Sequence, residues 1–133
     1  MPISGQLLRD GRVYLFTYAE RFTVNEIGES VEALQQEVLA HAARKVHTIS
    51  DFSAVRSLPP NSLGSSRHLV RRSHPMLGTV ILVTPSDFIR RMIDIMTKVT
   101  PGSRLITCRT LDDALAEVDR ILAEESQQEE SPV

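Results

Sequence analysis

The sequence predicts a single α/β domain: a mixed, mostly parallel five-stranded sheet with its elements in the order ββαβαβαβα. Three observations lead there. Short apolar runs of strand length alternate with longer amphipathic stretches, the rhythm of successive β-α units joined by right-handed crossovers. Each of Thr23, Thr84 and Thr110 is followed three residues later by an acid, the signature of a helix N-terminus. Residues 78–83 (GTVILV) form an unbroken apolar run, as expected of a parallel strand covered on both faces.

The elements follow in order. Residues 3–9 and 12–18 alternate as strands, and Asp10-Gly11 between them is a hairpin signal. In the second strand Val13, Leu15 and Thr17 share one face, and Tyr14, Phe16 and Tyr18 the other. Thr23 and Glu26 make a capping box, with Phe22 placed to staple onto Ile27. Val24, Ile27, Val31, Leu34, Val38 and Ala42 then keep helical spacing, so this helix should reach about residue 43. Residues 46–52 read as a strand. Two prolines at 59 and 60 demand a turn, because proline cannot donate to a ladder. A helix is expected over about 61–73, ended by His74-Pro75.

After the apolar run, Thr84-Pro85-Ser86-Asp87 reads as a second capping box with proline at the first helical position. Val83 and Phe88 would staple it, and Phe88, Met92, Ile95, Met96 and Val99 would form its buried stripe. Arg90 and Arg91 read as a solvated face. Residues 104–108 make a short strand. Thr110 and Asp113 then open a last helix carrying Leu111, Leu115, Val118 and Leu122. Residues 1–123 are thus one domain, and the acidic stretch 124–133 reads as a disordered tail.

Composition narrows the function. The chain has 133 residues, 41% hydrophobic and 24% charged, enough for one proper core. No run of about 18 apolar residues offers a transmembrane segment, and the opening residues lack the pattern of a secretory signal. A lone Cys108 suits a reducing, cytoplasmic setting. The net charge of −2 is unevenly spread. Residues 67–109 carry eight basic and two acidic side chains, and residues 110–133 carry one basic and eight acidic. A basic block can meet phosphates, but its residues are scattered over several elements with almost no aromatics among them, so nucleic acid is not favoured. Adjacent basic and acidic segments that partly cancel are the simpler reading.

Parallel sheets place binding sites beyond the C-terminal ends of their strands. That edge collects Asp51, Ser53, Ser57, Pro60, Asn61, Ser62, Thr84, Ser86 and Thr110. Capping alone accounts for Thr84 and Thr110. The loop over 53–62 is longer than capping needs. His41, His47, His68 and His74 match no zinc spacing. There is no Walker loop, no dinucleotide fingerprint and no nucleophile elbow. No catalytic residue, metal ligand or cofactor is assigned.

Residues 51–63 (DFSAVRSLPPNSL) resemble the signature of the STAS family, the domain shared by sulphate transporters and anti-sigma factor antagonists. Asp51, Phe52, Ser53, Val55, Leu58 and Leu63 match its pattern, and the element order over residues 3–123 is similar to the whole SpoIIAA-like domain. The family's Asp-Ser-Ser-Gly falls on Pro59, Pro60, Asn61 and Ser62. Regulated antagonists carry a phosphorylatable serine where this chain has Pro60, so the usual switch is missing there, with Ser57 or Ser62 as substitutes. The chain looks more like divergent SpoIIAA-like members related to a lipid-binding type.

The resemblance implies a regulatory module that holds a protein partner and is not an enzyme. Its contact surface would be Asp51, Ser53, Ser57, Pro60, Asn61 and Ser62 with Arg67, Arg71 and Arg72, and Asp51 would brace the loop. The alternative is a domain for a small anionic ligand or lipid headgroup, held by Asn61, Ser62, Ser86 and Arg71. A homodimer would be indicated if Tyr14, Phe16 and Tyr18 were left uncovered by helices.

Overall fold

The computed structural model describes residues 3–56, 76–99 and 105–130. The proline turn and the helix expected at 61–73 lie outside the described residues, as do Ser57, Pro60, Asn61, Ser62, Arg67, Arg71 and Arg72. The described elements are β1 (Ile3–Leu8), β2 (Val13–Tyr18), α1 (Val24–Glu37), β3 (Val46–Asp51), β4 (Leu77–Val83), α2 (Asp87–Val99), β5 (Leu105–Cys108) and α3 (Leu111–Glu130). The five strands form one sheet in sequence order. β1 pairs antiparallel with β2, and every later pair is parallel. This is the mixed, mostly parallel sheet that the alternation predicts, with its antiparallel strand at one edge.

The hairpin turn is wider than a two-residue Asp-Gly loop. Leu8 pairs with Val13, and Arg9, Asp10 and Gly11 all take positive φ, at 53°, 57° and 81°. Three left-handed residues in a row favour a glycine at the last position and an aspartate before it. Gly11 N–H donates to the Leu8 carbonyl and Arg12 N–H to that of Arg9, which closes the turn.

Strand alternation sorts side chains onto two faces. Phe16 and Tyr18 of β2 join Ile3, Phe22, Leu34, Leu39 and Val46 in a cluster on the α1 side, with Tyr14 packed against it. Val13 joins Ile49, Ile81, Val83, Ala114 and Val118 on the α3 side. The aromatic face is therefore covered, and the indication of a homodimer through Tyr14, Phe16 and Tyr18 falls away. The register of β3 on β4 shifts between Val46 and Thr48, where two residues of β4 oppose one of β3. The bulge inverts the alternation, so Leu77 packs on the α1 side while Ile81 and Val83 lie on the other.

Thr23 caps α1 in a complete box: Thr23 Oγ1 accepts from Glu26 N–H at 3.2 Å, and Glu26 Oε1 accepts from Thr23 N–H at 2.9 Å. The helix stops at Glu37, short of residue 43. Val38 closes it, and Leu39–His41 form one turn of 3-10 helix. The tighter turn drives Leu39 into the core, where it is 2% exposed.

Further expectations are corrected around α2. Thr84 does not cap α2. Its N–H donates to the Cys108 carbonyl at 2.9 Å, so it stays in the sheet ladder. Its hydroxyl accepts from Ser86 N–H, and Ser86 becomes the cap, accepting from Ile89 N–H. Moving the cap changes the inward face. Ile89 is buried, whereas Phe88 is 71% and Ile95 64% exposed, so neither the Val83–Phe88 staple nor the stripe through Phe88 and Ile95 forms. Met92 is half-buried, and the side chains of Met96 and Val99 lie outside the described residues. Arg90 is not a solvated side chain: its Nε is enclosed, without a partner among the described residues, and only Arg91 of the pair is exposed.

The last helix does not give way to disorder near 124 but continues to Glu130. Thr110 caps it, with Oγ1 accepting from Asp113 N–H at 3.1 Å. Its acidic block is countered by Arg9, bonded to Asp119, by Arg12, bonded to Glu125, and by its own Arg120. Charge cancellation thus draws on the opening hairpin, not on the described part of the basic block over 67–109. No helix among the described residues is long and apolar enough to cross a membrane.

Candidate functional site

β2 to β5 run parallel, so their C-terminal ends share one edge of the sheet. At the middle of that edge β3 ends at Asp51 and turns. The Asp51 carboxylate accepts from Ser53 N–H at 2.9 Å and from the Ser53 hydroxyl. Phe52 N–H donates to the Val83 carbonyl, and Val55 N–H to that of Phe52. An aspartate two residues before a free N–H makes an Asx turn, a cheap way to hold a loop without secondary structure. Asp51 therefore braces the loop, as expected, and its bonded oxygen is already taken. Ser53, Ala54 and Arg56 are exposed on the turn.

An aromatic floor underlies this turn. The Phe52 ring meets Tyr18 edge-on with centroids 4.3 Å apart, and stacks with Phe22 at 6.0 Å and an interplanar angle of 4°. Tyr18 meets Phe22 edge-on at 5.0 Å. Such pairs contribute about 0.5–1.5 kcal/mol each beyond area burial. Burial pushes the Tyr18 phenol up to about 12, against a smaller lowering by its hydrogen bond to Ser50. Tyr18 is thus a neutral anchor and not a proton donor near neutrality. Arg56 reaches Glu20 at 3.5 Å across the rim, an exposed pair of small energetic weight.

The rest of the edge is occupied with capping. Ser86, a candidate anion contact, has its hydroxyl engaged by Ile89 N–H. Beside it, Asp87, Arg90, Arg91, Asp94, Thr107 and Arg109 line a shallow cleft between α2 and β5. Asp87 pairs with Arg90 and lies 3.8 Å from Arg109, so part of the positive charge is neutralised within the cleft. Cys108 ends β5 as a half-buried free thiol. Burial, and then Glu117 and Asp113, push its pKa up, which leaves less thiolate than an exposed cysteine holds. Among the described residues, no group of three His, Cys, Asp or Glu is placed to hold a metal ion.

Of the predicted surface, the structure brings Asp51 and Ser53 together and sets Ser86 on the same edge. Two features were not anticipated. The Phe52–Tyr18–Phe22 floor was signalled by aromatics just after β2 and β3 in the chain. The other is a polar cluster at the opposite end of the sheet. There His47, 2% exposed, accepts from Thr79 N–H at Nδ1, 2.9 Å, and meets Glu125 Oε1 at Nε2, also 2.9 Å. Because Nδ1 accepts, the proton sits on Nε2 and is donated to Glu125. Arg12 bonds the other Glu125 oxygen and the Lys45 carbonyl. No short-range pattern links residues 12, 47 and 125.

No protein-family model and no curated protein matches the sequence. Solved structures do match it. Phosphorylated SpoIIAA, described as a Bacillus cell fate determinant, aligns at 16% identity over 87% of this chain and 98% of its own, with a TM-score of 0.59. The anti-sigma factor antagonist SpoIIAA in its unphosphorylated form aligns at 16% identity over 88% and 97%, with a TM-score of 0.60. The protein TM1081, solved by NMR, aligns at 18% identity over 87% of each chain, also at 0.60. The chain has the SpoIIAA fold.

Proposed function

We propose that this protein is a non-catalytic regulatory module that binds a protein partner at the C-terminal edge of its sheet, around the turn after β3. The observation that carries this reading is the Asp51–Ser53 brace. It presents an exposed serine and arginine at the end of the middle strand while its own carboxylate is spent on holding the loop. A preorganised, exposed turn lowers the ordering cost of a protein contact. The likeness to an anti-sigma factor antagonist supports the same class of role. Ser57, Pro60, Asn61, Ser62, Arg67, Arg71 and Arg72 would extend the surface. With Pro60 where regulated antagonists have serine, partner binding would run without a phosphate switch at that position.

The test is affinity capture from native lysate, comparing wild type with Ser53→Lys and with the double charge reversal Arg71→Glu/Arg72→Glu. Partners held by wild type should be lost from both variants, with circular dichroism showing that each still folds. Unchanged capture by both would sink the proposal. The alternative, a small anionic ligand or lipid headgroup, draws support from the enclosed Arg90 Nε beside Arg91 and Arg109. Stabilisation of wild type by inorganic phosphate, lost in Arg109→Gln, would favour it.

A further inference from the structure

We propose that β1 is a homodimer seam, pairing antiparallel with β1 of a second copy so that two five-stranded sheets join into one. Among the described residues, β1 is an edge strand with β2 on one side and no strand on the other. A free edge presents unpaired N–H and C=O groups, and stable monomers commonly guard it with charges, proline, a bulge or a covering segment. The Ile3–Leu8 strand (ISGQLL) carries no charge and no proline, and it pairs with β2 in unbroken register. Ser4, Gly5, Gln6 and Leu7 are all exposed, Leu7 by 50%. The next charge along the sequence after β1, Arg9, is bonded to Asp119.

The side chains favour a second copy over a foreign strand. A two-fold axis normal to the sheet keeps each face of β1 on the same face in its mate. Directly opposed residues must then share parity along the strand. The register centred on Gly5 satisfies this. It sets Leu7 against Ile3 of the second copy on the α1 side and Gln6 against Ser4 on the other. The exposed Leu7 gains an apolar neighbour, and an amide meets a hydroxyl. At the axis Gly5 faces Gly5. The Tyr14 ring already lies across this glycine: a Cβ there would fall 1.9 Å from the Tyr14 oxygen. The ring takes the place a side chain would have there, so β1 meets its mate without a Cβ at the axis. α3 packs on β3, β4 and β5, and α1 packs on β1.

Sedimentation equilibrium of the full chain tests this. Wild type should be a concentration-dependent dimer. Leu7→Lys removes two symmetry-related Leu7–Ile3 contacts and adds two charges, so the dimer dissociation constant should rise at least about tenfold. An unchanged thermal melt at low concentration would confirm that the variant folds. A second arm reads the register: Ser4→Cys mixed with Gln6→Cys should cross-link on oxidation, since opposed residues lie within disulfide reach, while either variant alone should cross-link far less. A monomer at every concentration, a dimer indifferent to Leu7→Lys, or equal cross-linking in the single-variant controls would each overturn the proposal.

Discussion

Gly78→Ala is the sharpest perturbation the structure offers. Gly78 lies in the β4 bulge, where a Cβ would stand 2.4 Å from His47 Nδ1 and 2.6 Å from Cε1. The ring cannot yield in place, because it is 2% exposed and bonded at both nitrogens, to Thr79 N–H and to Glu125. It must therefore leave its seat. A buried Thr79 N–H would then be unsatisfied, at about 1–3 kcal/mol, and the bond to Glu125 would be lost, at about 1 kcal/mol. The expected cost is about 2–4 kcal/mol, a large share of the stability of a domain this size. Urea denaturation at neutral pH measures it, as a fall in midpoint at constant slope. Gly28→Ala in α1 is the matched control. Nothing lies within 4 Å of a Cβ there, so the helix should gain about 0.5–1 kcal/mol. In a His47→Ala background the Gly78→Ala cost should shrink below about 1 kcal/mol, since the obstacle is gone. A loss under about 0.5 kcal/mol in the wild-type background, or an equal loss with and without His47, would refute the reasoning.

Thr23→Ala removes one half of the α1 capping box and should cost about 1 kcal/mol in the same assay. Glu26→Ala should then add little on top of it, because the two side chains act as one device. The Tyr18 phenol supplies a pH signature. Its folded pKa of about 12 stands above the ordinary 10.0 because burial disfavours the phenolate. Below pH 10 the phenol is neutral in both states, and the benefit of its burial is fully present. As pH rises from about 10 towards 12 the unfolded chain ionises first, so stability is lost over that window. Denaturation midpoints should fall more steeply there for wild type than for Tyr18→Phe, and phenolate absorbance should show Tyr18 titrating last. Equal slopes would contradict the burial assigned to Tyr18.

Features made by neighbours in the chain were legible in advance. The Thr23–Glu26 box and the Thr110 cap formed because a helix N-terminus needs side-chain acceptors within three residues. The two faces of β2 followed from strand geometry alone. The edge holding Asp51 and Ser53 was legible too, since a parallel sheet fixes where its loops emerge. The misread residues were those with a long-range competitor. Thr84 had every local qualification as a cap, but Cys108 of a distant strand claimed its N–H. The cap moved to Ser86, and Ile89, not Phe88, turned inward. Residues 124–130 look disordered by composition, yet Glu125 is tied to His47 and Arg12.

The sequence by itself determined the order of the described elements, the sheet's mostly parallel sense and the edge at which the loops after its parallel strands emerge. These rest on periodicity and turn chemistry, which act over a few residues. Only the tertiary structure decided which residue caps α2, where α3 ends, and that His47 sits sealed against Gly78. Each depends on a hydrogen bond or contact between groups far apart in the chain, whose strength is set by burial that no local pattern encodes.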